Sequence, residues 1–167
     1  CTFKSNNLSL NWYGQIVERQ TGGSLPAAGT TNLKNFSGNW LGTAAPIITT
    51  ANSAEPGYAA QIPVAYGGTA TPPGGQPDVA GPASANFDIT PFLSGGTDTN
   101  VETTPGWGTF GFQGSYHALH VTAQLAQIGL VGRIQEAVNM VTGSVITVLA
   151  GTYTSPVIIN TAFDIDL

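Results

Sequence analysis

A long stretch rich in proline and glycine lies in the middle of the chain and limits what the sequence can fold into. Residues 52–86 (NSAEPGYAAQIPVAYGGTATPPGGQPDVAGPASAN) hold many of the chain's 11 prolines and 22 glycines. Proline fixes φ and lacks a backbone donor, so this stretch cannot form a helix and can hold at most short edge strands near residues 60–66. We expect a long ordered loop or arm here.

Composition favours a mainly β fold and limits the classes of partner. Charged residues make up 8% of the 167-residue chain, well below the roughly 25% of an average globular protein. Thr, Asn and Ser take their place, and these residues suit strands and turns, as in many secreted or cell-surface proteins. The net charge is −5 and the four basic residues are scattered, which argues against binding to nucleic acid or to an anionic membrane surface.

Membrane insertion and disulfide bonding are also not expected. No apolar run approaches the roughly 18 residues that a membrane-spanning helix needs. Cys1 is the single cysteine, so it has no partner for an internal disulfide, and its role stays open.

One segment has a clear helical pattern. In GRIQEAVNMVTG (132–143) apolar residues recur at helical spacing, and Gly143 stands where a helix stop belongs. We expect a short amphipathic helix at about 133–141, on which the apolar face consists of Ile134, Ala137, Val138 and Val141.

β-Branched residues dominate the segment after this helix. SVITVLAGTYTSPVIIN (144–160) predicts a strand at 145–149, a turn at 150–152 and a strand at 156–160, and another strand is expected near 119–123. The run RIQEAVNMVTGSVITVLAGTYTSPVIIN resembles the opening of a right-handed parallel β-helix, in which a short amphipathic helix caps one end of the solenoid. The resemblance implies that 156–160 seeks a neighbouring coil, so that Val157, Ile158 and Ile159 form an assembly edge.

The pattern N-x-S-x-N-W-x-G occurs twice in the first half of the chain. The copies are NLSLNWYG (7–14) and NFSGNWLG (35–42), 28 residues apart, and N-x-D-x-T-P-x-L follows at 86–93. This order is similar to the closing coils of bacterial surface β-helix repeats, although those have Trp or Tyr where Leu41 stands. The resemblance implies that the 28-residue offset is about one coil with an extended loop.

The same resemblance implies a division of the chain into three segments. Residues 1–93 would be the closing coils of one β-helix with a long loop, and 94–118 a junction loop. Residues 119–167 would hold the cap helix and the opening coil of a second β-helix segment.

The three tryptophans are candidates either for ligand binding or for packing. Exposed Trp12 and Trp40 could stack on sugars, with Trp107 on another loop. Alternatively, each motif tryptophan covers a coil while the asparagines bond to turn backbone, and the recurrence of the motif favours this interpretation. Asn7-Leu8-Ser9 and Asn35-Phe36-Ser37 also match the N-glycosylation pattern, which we interpret as coincidental because both lie inside the repeat.

Few residues suit metal binding or catalysis. Asp98, Asn100 and Glu102 alternate in a Gly-rich loop and could supply oxygen ligands to Ca²⁺, although the twelve-residue loop pattern is absent and a solvated loop is favoured. His117 and His120 would face opposite sides of a strand, without a third zinc ligand nearby. The nine acidic residues are spread along the chain, so no carboxylate pair indicates an enzyme. We expect no catalytic activity and no cofactor, with calcium the one ion to test.

The expected function is structural. The β-helix resemblance implies a subunit or repeat of an extracellular or cell-surface bacterial filament, matrix fibre or surface layer. Such a protein would form a homopolymer by end-to-end stacking of β-strands, along one chain or between subunits. The alternatives are a carbohydrate-binding or adhesive cell-surface module, and a non-catalytic part of a polysaccharide-degrading β-helix enzyme.

Overall fold

Short strands make up most of the regular structure, as the composition predicts. The computed structural model describes residues 3–9, 11, 14–17, 34–49, 78–80, 87–98 and 111–160. The mainly β prediction is confirmed, and the strands of these residues form four small sheets rather than a closed sheet or a solenoid. In this part of the chain the elements are β1 (Ile16–Val17), β2 (Lys34–Asn35), β3 (Ile48–Thr49), β4 (Val79–Ala80), β5 (Phe87–Asp88), β6 (Phe92–Leu93), β7 (Gly96–Asp98), β8 (Phe112–Gly114), β9 (Ala118–Val121), α1 (Arg133–Met140) and β10 (Val145–Val148).

The last two strands and the helix form a parallel β9–α1–β10 unit. β9 and β10 pair in parallel, with Ala118 opposite Val145. Parallel neighbours need a crossover connection, and α1 lies within it. On its other side β9 pairs with β6 in the antiparallel direction, with Leu93 opposite Leu119. The sheet order is therefore β10-β9-β6.

The helix α1 lies where the apolar periodicity predicts it, but it ends for a different reason than expected. Val141 already has an extended backbone (φ −64°, ψ 135°), so the helix has ended before Gly143 is reached. Gly143 instead allows a close approach to the start of β9, because a Cβ at this position would collide with the backbone of His117. Gly143 therefore marks the region in which the helix ends, but it does not end the helix.

The apolar face of α1 covers one face of the β10-β9-β6 sheet. Side chains alternate along a strand, so every second residue of β9 can face the helix. Burial of each large aliphatic side chain contributes about 1.5–3 kcal/mol. The resulting first core cluster consists of Leu93, Leu119, Val121, Ala137, Val138, Val141 and Ile146.

The first half of the chain places sequence-distant segments side by side. β2 pairs with β5, and β4 lies between β1 and β3, all in parallel. Asn7 and Trp40 form a parallel bridge. Segment 3–9 thus lies beside 34–40, which lies beside 87–93, and we call these three segments the parallel ladder. A second core cluster packs against these strands and consists of Ile16, Leu41, Val79, Ile89 and Phe92.

Residues on either side of the expected junction at 94–118 meet in one sheet, because β6 pairs with β9. The junction itself contains β7 and β8, which pair in the antiparallel direction. The division at 1–93, 94–118 and 119–167 stays a prediction. Most of the proline-rich stretch 52–86 lies outside the described residues.

Candidate assembly surface

The N-x-S and D-x-T sequences form turns closed by the side chain of their first residue. In each turn a side-chain oxygen accepts a hydrogen bond from the backbone N–H two residues later, a geometry that Asn and Asp adopt readily. The second and third of these turns are in register across β2 and β5. The asparagines of the motif therefore organise turns. The nitrogen-to-oxygen distances are 2.9 Å for Asn7 and Ser9, 2.8 Å for Asn35 and Ser37, and 3.0 Å for Asp88 and Thr90.

Asn39, the fifth residue of the second octapeptide, is the central polar contact of the parallel ladder. Its side chain is fully buried, and its Oδ1 accepts hydrogen bonds from the backbone N–H (3.0 Å) and from Nδ2 (2.9 Å) of Asn6. Its Nδ2 donates to the carbonyl oxygens of Phe3 and Phe36, each at 2.7 Å. All four hydrogen-bonding positions of the amide are used.

The two octapeptides do not lie opposite each other. Asn7, the first residue of the first copy, pairs with Trp40. Its counterpart in the second copy is Asn35, which comes earlier in the motif than Trp40. The two segments lie side by side but not in the register of the repeat, and the interpretation of the 28-residue spacing as about one coil with an extended loop stays a prediction. Asn39 explains the register, because a buried amide left without partners costs about 1–3 kcal/mol, whereas misalignment of exposed turn residues costs little.

Trp40 occupies a packing position. Its side chain is half-buried and packs against the first core cluster. Its backbone donates to the Asn6 carbonyl and accepts from the Leu8 N–H, each at 2.9 Å. A ring held against the core offers little face for stacking on a sugar, which favours the packing interpretation. The other two candidates, Trp12 and Trp107, lie outside the described residues.

An apolar groove runs between α1 and residues 155–160. It encloses about 780 Å³, and its lining includes no charged residue. Val138 and Val141 contribute from the helix side, and Pro156 and Ile158 from the other side.

The residues of the predicted assembly edge are exposed, and one of them, Ile158, lines this groove. Val157 is 36% exposed, Ile158 63% and Ile159 45%. The segment 156–160 is not a strand, contrary to expectation. The backbone N–H of Ile158 donates to Oε1 of Gln135 at 2.6 Å. β-Branched residues form a strand only when a neighbouring strand satisfies their backbone groups, and the described residues supply no such neighbour here.

Strand edges are open at two ends of the described structure. Among the described residues β10 pairs only with β9, and segment 3–9 pairs only with 34–40. Unpaired backbone groups on such edges can accept a further strand. The two edges run in opposite directions, because β6 and β9 are antiparallel while the other strand pairs between these edges are parallel.

Arg133 and Asp88 hold the loop between β9 and α1, an arrangement that the sequence did not predict. The Asp88 carboxylate accepts a hydrogen bond from the backbone N–H of Ile128 at 2.7 Å. Arg133 lines a polar cleft of about 350 Å³. The sequence does not indicate that Asp88 lies near α1. It indicates only the local turn that Asp88 forms with Thr90 in the D-x-T sequence. The Arg133 guanidinium donates to the carbonyl oxygens of Thr122, Gln124 and Leu125.

Burial raises the pKa of two carboxyl groups in this region. Desolvation is the largest cause for both Asp88 and Glu136, and the nearby Arg133 charge opposes it. The Asp88 charge also raises the pKa of Glu136. Asp88 is fully buried, and Glu136 accepts a hydrogen bond from Nε2 of Gln127 at 2.9 Å. A hydrolase needs both carboxyl groups open to one cleft, so this pair serves the fold.

The two histidines have different environments. His117 is exposed just before β9, whereas His120 is half-buried on β9. The ring of His120 stacks on Phe92 with centroids 5.2 Å apart. Its Nδ1 is buried without a hydrogen-bond partner among the described residues, and burial lowers the pKa of the ring.

The candidate calcium ligands are mostly outside the described residues. Asp98 ends β7, and only its backbone is described, while Asn100 and Glu102 fall in the undescribed stretch that follows. Within the described ranges, no group of three His, Cys, Asp or Glu side chains could hold a metal ion. The calcium site stays a prediction.

No helix in the part of the chain that the structure describes is long and apolar enough to cross a membrane. Comparison with protein-family models, with curated proteins and with solved structures finds no match.

Proposed function

We propose that this chain is a structural subunit or repeat of an extracellular bacterial filament, matrix fibre or surface layer, which assembles by end-to-end stacking of β-strand layers. The observation that carries the proposal is the open edge of β10 in a unit that also exposes Val157, Ile158 and Ile159. In the assembled protein the parallel ladder would belong to the closing coils of one β-helix, and the β9–α1–β10 unit would belong to the opening coil of a second one.

The composition of the β10 edge supports this proposal. Proteins that stay monomeric usually protect an edge strand with charged residues, proline or a covering element. β10 consists of Val145, Ile146, Thr147 and Val148, and it contains none of these protective residues. A further strand layer would pair its backbone and cover Val145, which is 41% exposed.

Strand direction determines how two copies could join. The edges at 3–9 and at β10 run in opposite directions. Direct contact between these edges in head-to-tail copies would therefore pair them in the antiparallel direction. Such a heterologous contact does not close on itself unless its rotation forms a ring, so it can continue into a filament.

The proposal is tested by comparing self-association of the wild-type chain with two exposed-isoleucine variants. Ile158→Asp places a charge at the groove, and Ile47→Asp is the matched control because Ile47 is 54% exposed beside β3. Sedimentation over a concentration series should show that I158D associates at least about tenfold more weakly, since burial of an isoleucine contributes about 1.5–3 kcal/mol. I47D should associate like the wild type.

Electron microscopy of the wild-type assembly provides the second readout. We expect regular polymers whose subunits join end to end. A wild-type chain that stays a compact monomer at high concentration would contradict assembly between subunits. Equal loss of association in both variants would show that association depends on general surface hydrophobicity and not on this groove.

A further inference from the structure

His120 lies where the two halves of the described structure meet. It belongs to β9, which pairs with β10 on one side and with β6 on the other. Phe92 of β6 is directly opposite His120, and the two rings stack with an interplanar angle of 23°. Phe92 is fully buried and belongs to the second core cluster. His120 therefore contacts the core of the parallel ladder across the strand pair that joins the two halves.

The surroundings of His120 suit a neutral imidazole. Nδ1 is buried and has no hydrogen-bond partner among the described residues. A protonated imidazole makes both ring nitrogens donors and spreads a positive charge over the ring. Protonation of His120 would thus place an unsatisfied donor and a charge against Phe92, which costs more than a neutral unpaired nitrogen.

Neighbouring charges do not offset this cost. The charged or titratable residues on or beside adjoining elements are Asp88 on β5, Arg133 and Glu136 on α1, Tyr116 and His117 before β9, and Tyr153 after β10, while β6 and β10 carry none. None of these groups shifts the pKa of His120, and burial is the single cause that lowers it.

We propose that His120 is an acid-sensitive latch on the β6–β9 pair, and that uptake of one proton by its imidazole opens this pair. In the open form the ring leaves Phe92 and is hydrated, and the backbone groups of β9 that pair with β6 become open to solvent. The proton comes from solvent and no covalent bond changes. A return to neutral pH releases the proton and closes the pair.

The direction of the pH effect follows from linkage. The opened ring has the ordinary pKa of 6.5, and the ring in the closed form has a lower pKa. The stability that His120 gives to the closed form is complete above pH 6.5 and is lost as the pH falls towards the lower pKa. Across that interval the open-to-closed ratio rises tenfold per pH unit. Asp88 and Glu136 act in the opposite direction, because their raised pKa means that acid favours the closed form.

The test is hydrogen exchange of the β9 backbone amides in the full chain, measured at pH 7, 6 and 5. The partner variant is His120→Phe, which keeps an aromatic ring against Phe92 and cannot titrate. The ratio of wild-type to variant exchange at one pH removes the intrinsic pH dependence of exchange and the effects of Asp88 and Glu136. We expect this ratio to rise as the pH falls below 6.5, by up to tenfold per unit.

The other histidine of the chain, His117, provides the matched control. His117→Asn should keep the wild-type pH dependence, because its side chain is exposed. If phenylalanine does not fit at position 120, His120→Gln serves as a second variant that cannot titrate. In the wild type, NMR of the Cε1 proton of His120 should show titration below pH 6.5. A wild-type ratio that stays constant from pH 7 to 5, or a pH dependence that disappears in H117N, would overturn the proposal.

Discussion

The β9–α1–β10 unit and the parallel ladder are stabilised by different interactions. In the unit, side chains of α1 and of two four-residue strands form an apolar cluster that includes Leu119 and Ile146. In the ladder the regular strands are two residues long, so side chains supply many of the contacts between segments. Asn39 and the asparagine and aspartate turns provide these contacts.

This difference determines how strictly each region fixes the register of its own strands. An apolar cluster tolerates changes in shape as long as its volume is filled. A buried amide with four hydrogen bonds is satisfied in one register and loses several partners in any other. The register of the ladder therefore depends on a few polar atoms, whereas the unit depends on the total apolar area that it buries.

The largest expected effect is in the apolar unit, for Leu119→Ala. Leu119 is fully buried between α1 and the strands, so truncation should lower the free energy of unfolding by about 2–5 kcal/mol. Urea denaturation followed by circular dichroism measures this loss. Leu130→Ala is the control, since Leu130 is fully exposed and its loss should change stability by less than about 0.5 kcal/mol. Similar losses in both variants would contradict this account of the core.

A smaller and more local effect is expected for Asn39→Ala in the ladder. The change removes the hydrogen bonds that the fully buried Asn39 amide makes to Asn6 and to the carbonyl oxygens of Phe3 and Phe36, which should cost about 1–3 kcal/mol. Exchange of the Trp40 amide, which donates to the Asn6 carbonyl, should accelerate while β9 amides remain protected. The control is Asn139→Ala on the exposed side of α1. Equal acceleration in β9 would show that the two regions are not separately stabilised.

Local patterns in the sequence were sufficient to predict the helix and the last strand of the unit, but not how the strands pair. The apolar spacing at 133–141 and the β-branched run at 145–149 match α1 and β10 to within a residue. Both signals depend on residues that are close in the chain. The turns of the N-x-S motif were predictable for the same reason, because each forms within three residues.

The remaining contacts depend on partners far along the chain. The 156–160 segment has a strand-like composition, but no neighbour among the described residues pairs with it. The ladder register depends on the contact of Asn39 with Asn6, and it differs from the 28-residue offset of the motif repeat. The contact between Asp88 and the loop before α1 likewise has no signature in spacing.

The smallest expected effect concerns Glu136, the one acidic residue of α1. Burial raises its pKa above 4.5 in the folded state, so its contribution to stability is present below pH 4.5 and is lost as the pH rises through the folded pKa. Glu136→Gln keeps an acceptor for Gln127 and removes the charge. This variant should be more stable than the wild type at pH 7, by less than about 1 kcal/mol because Glu136 is only half-buried and solvent screens its charge. The advantage should disappear near pH 4.5 in urea denaturation. A less stable variant at pH 7 would mean that attraction to Arg133 outweighs burial, and that the apolar unit also depends on an ion pair.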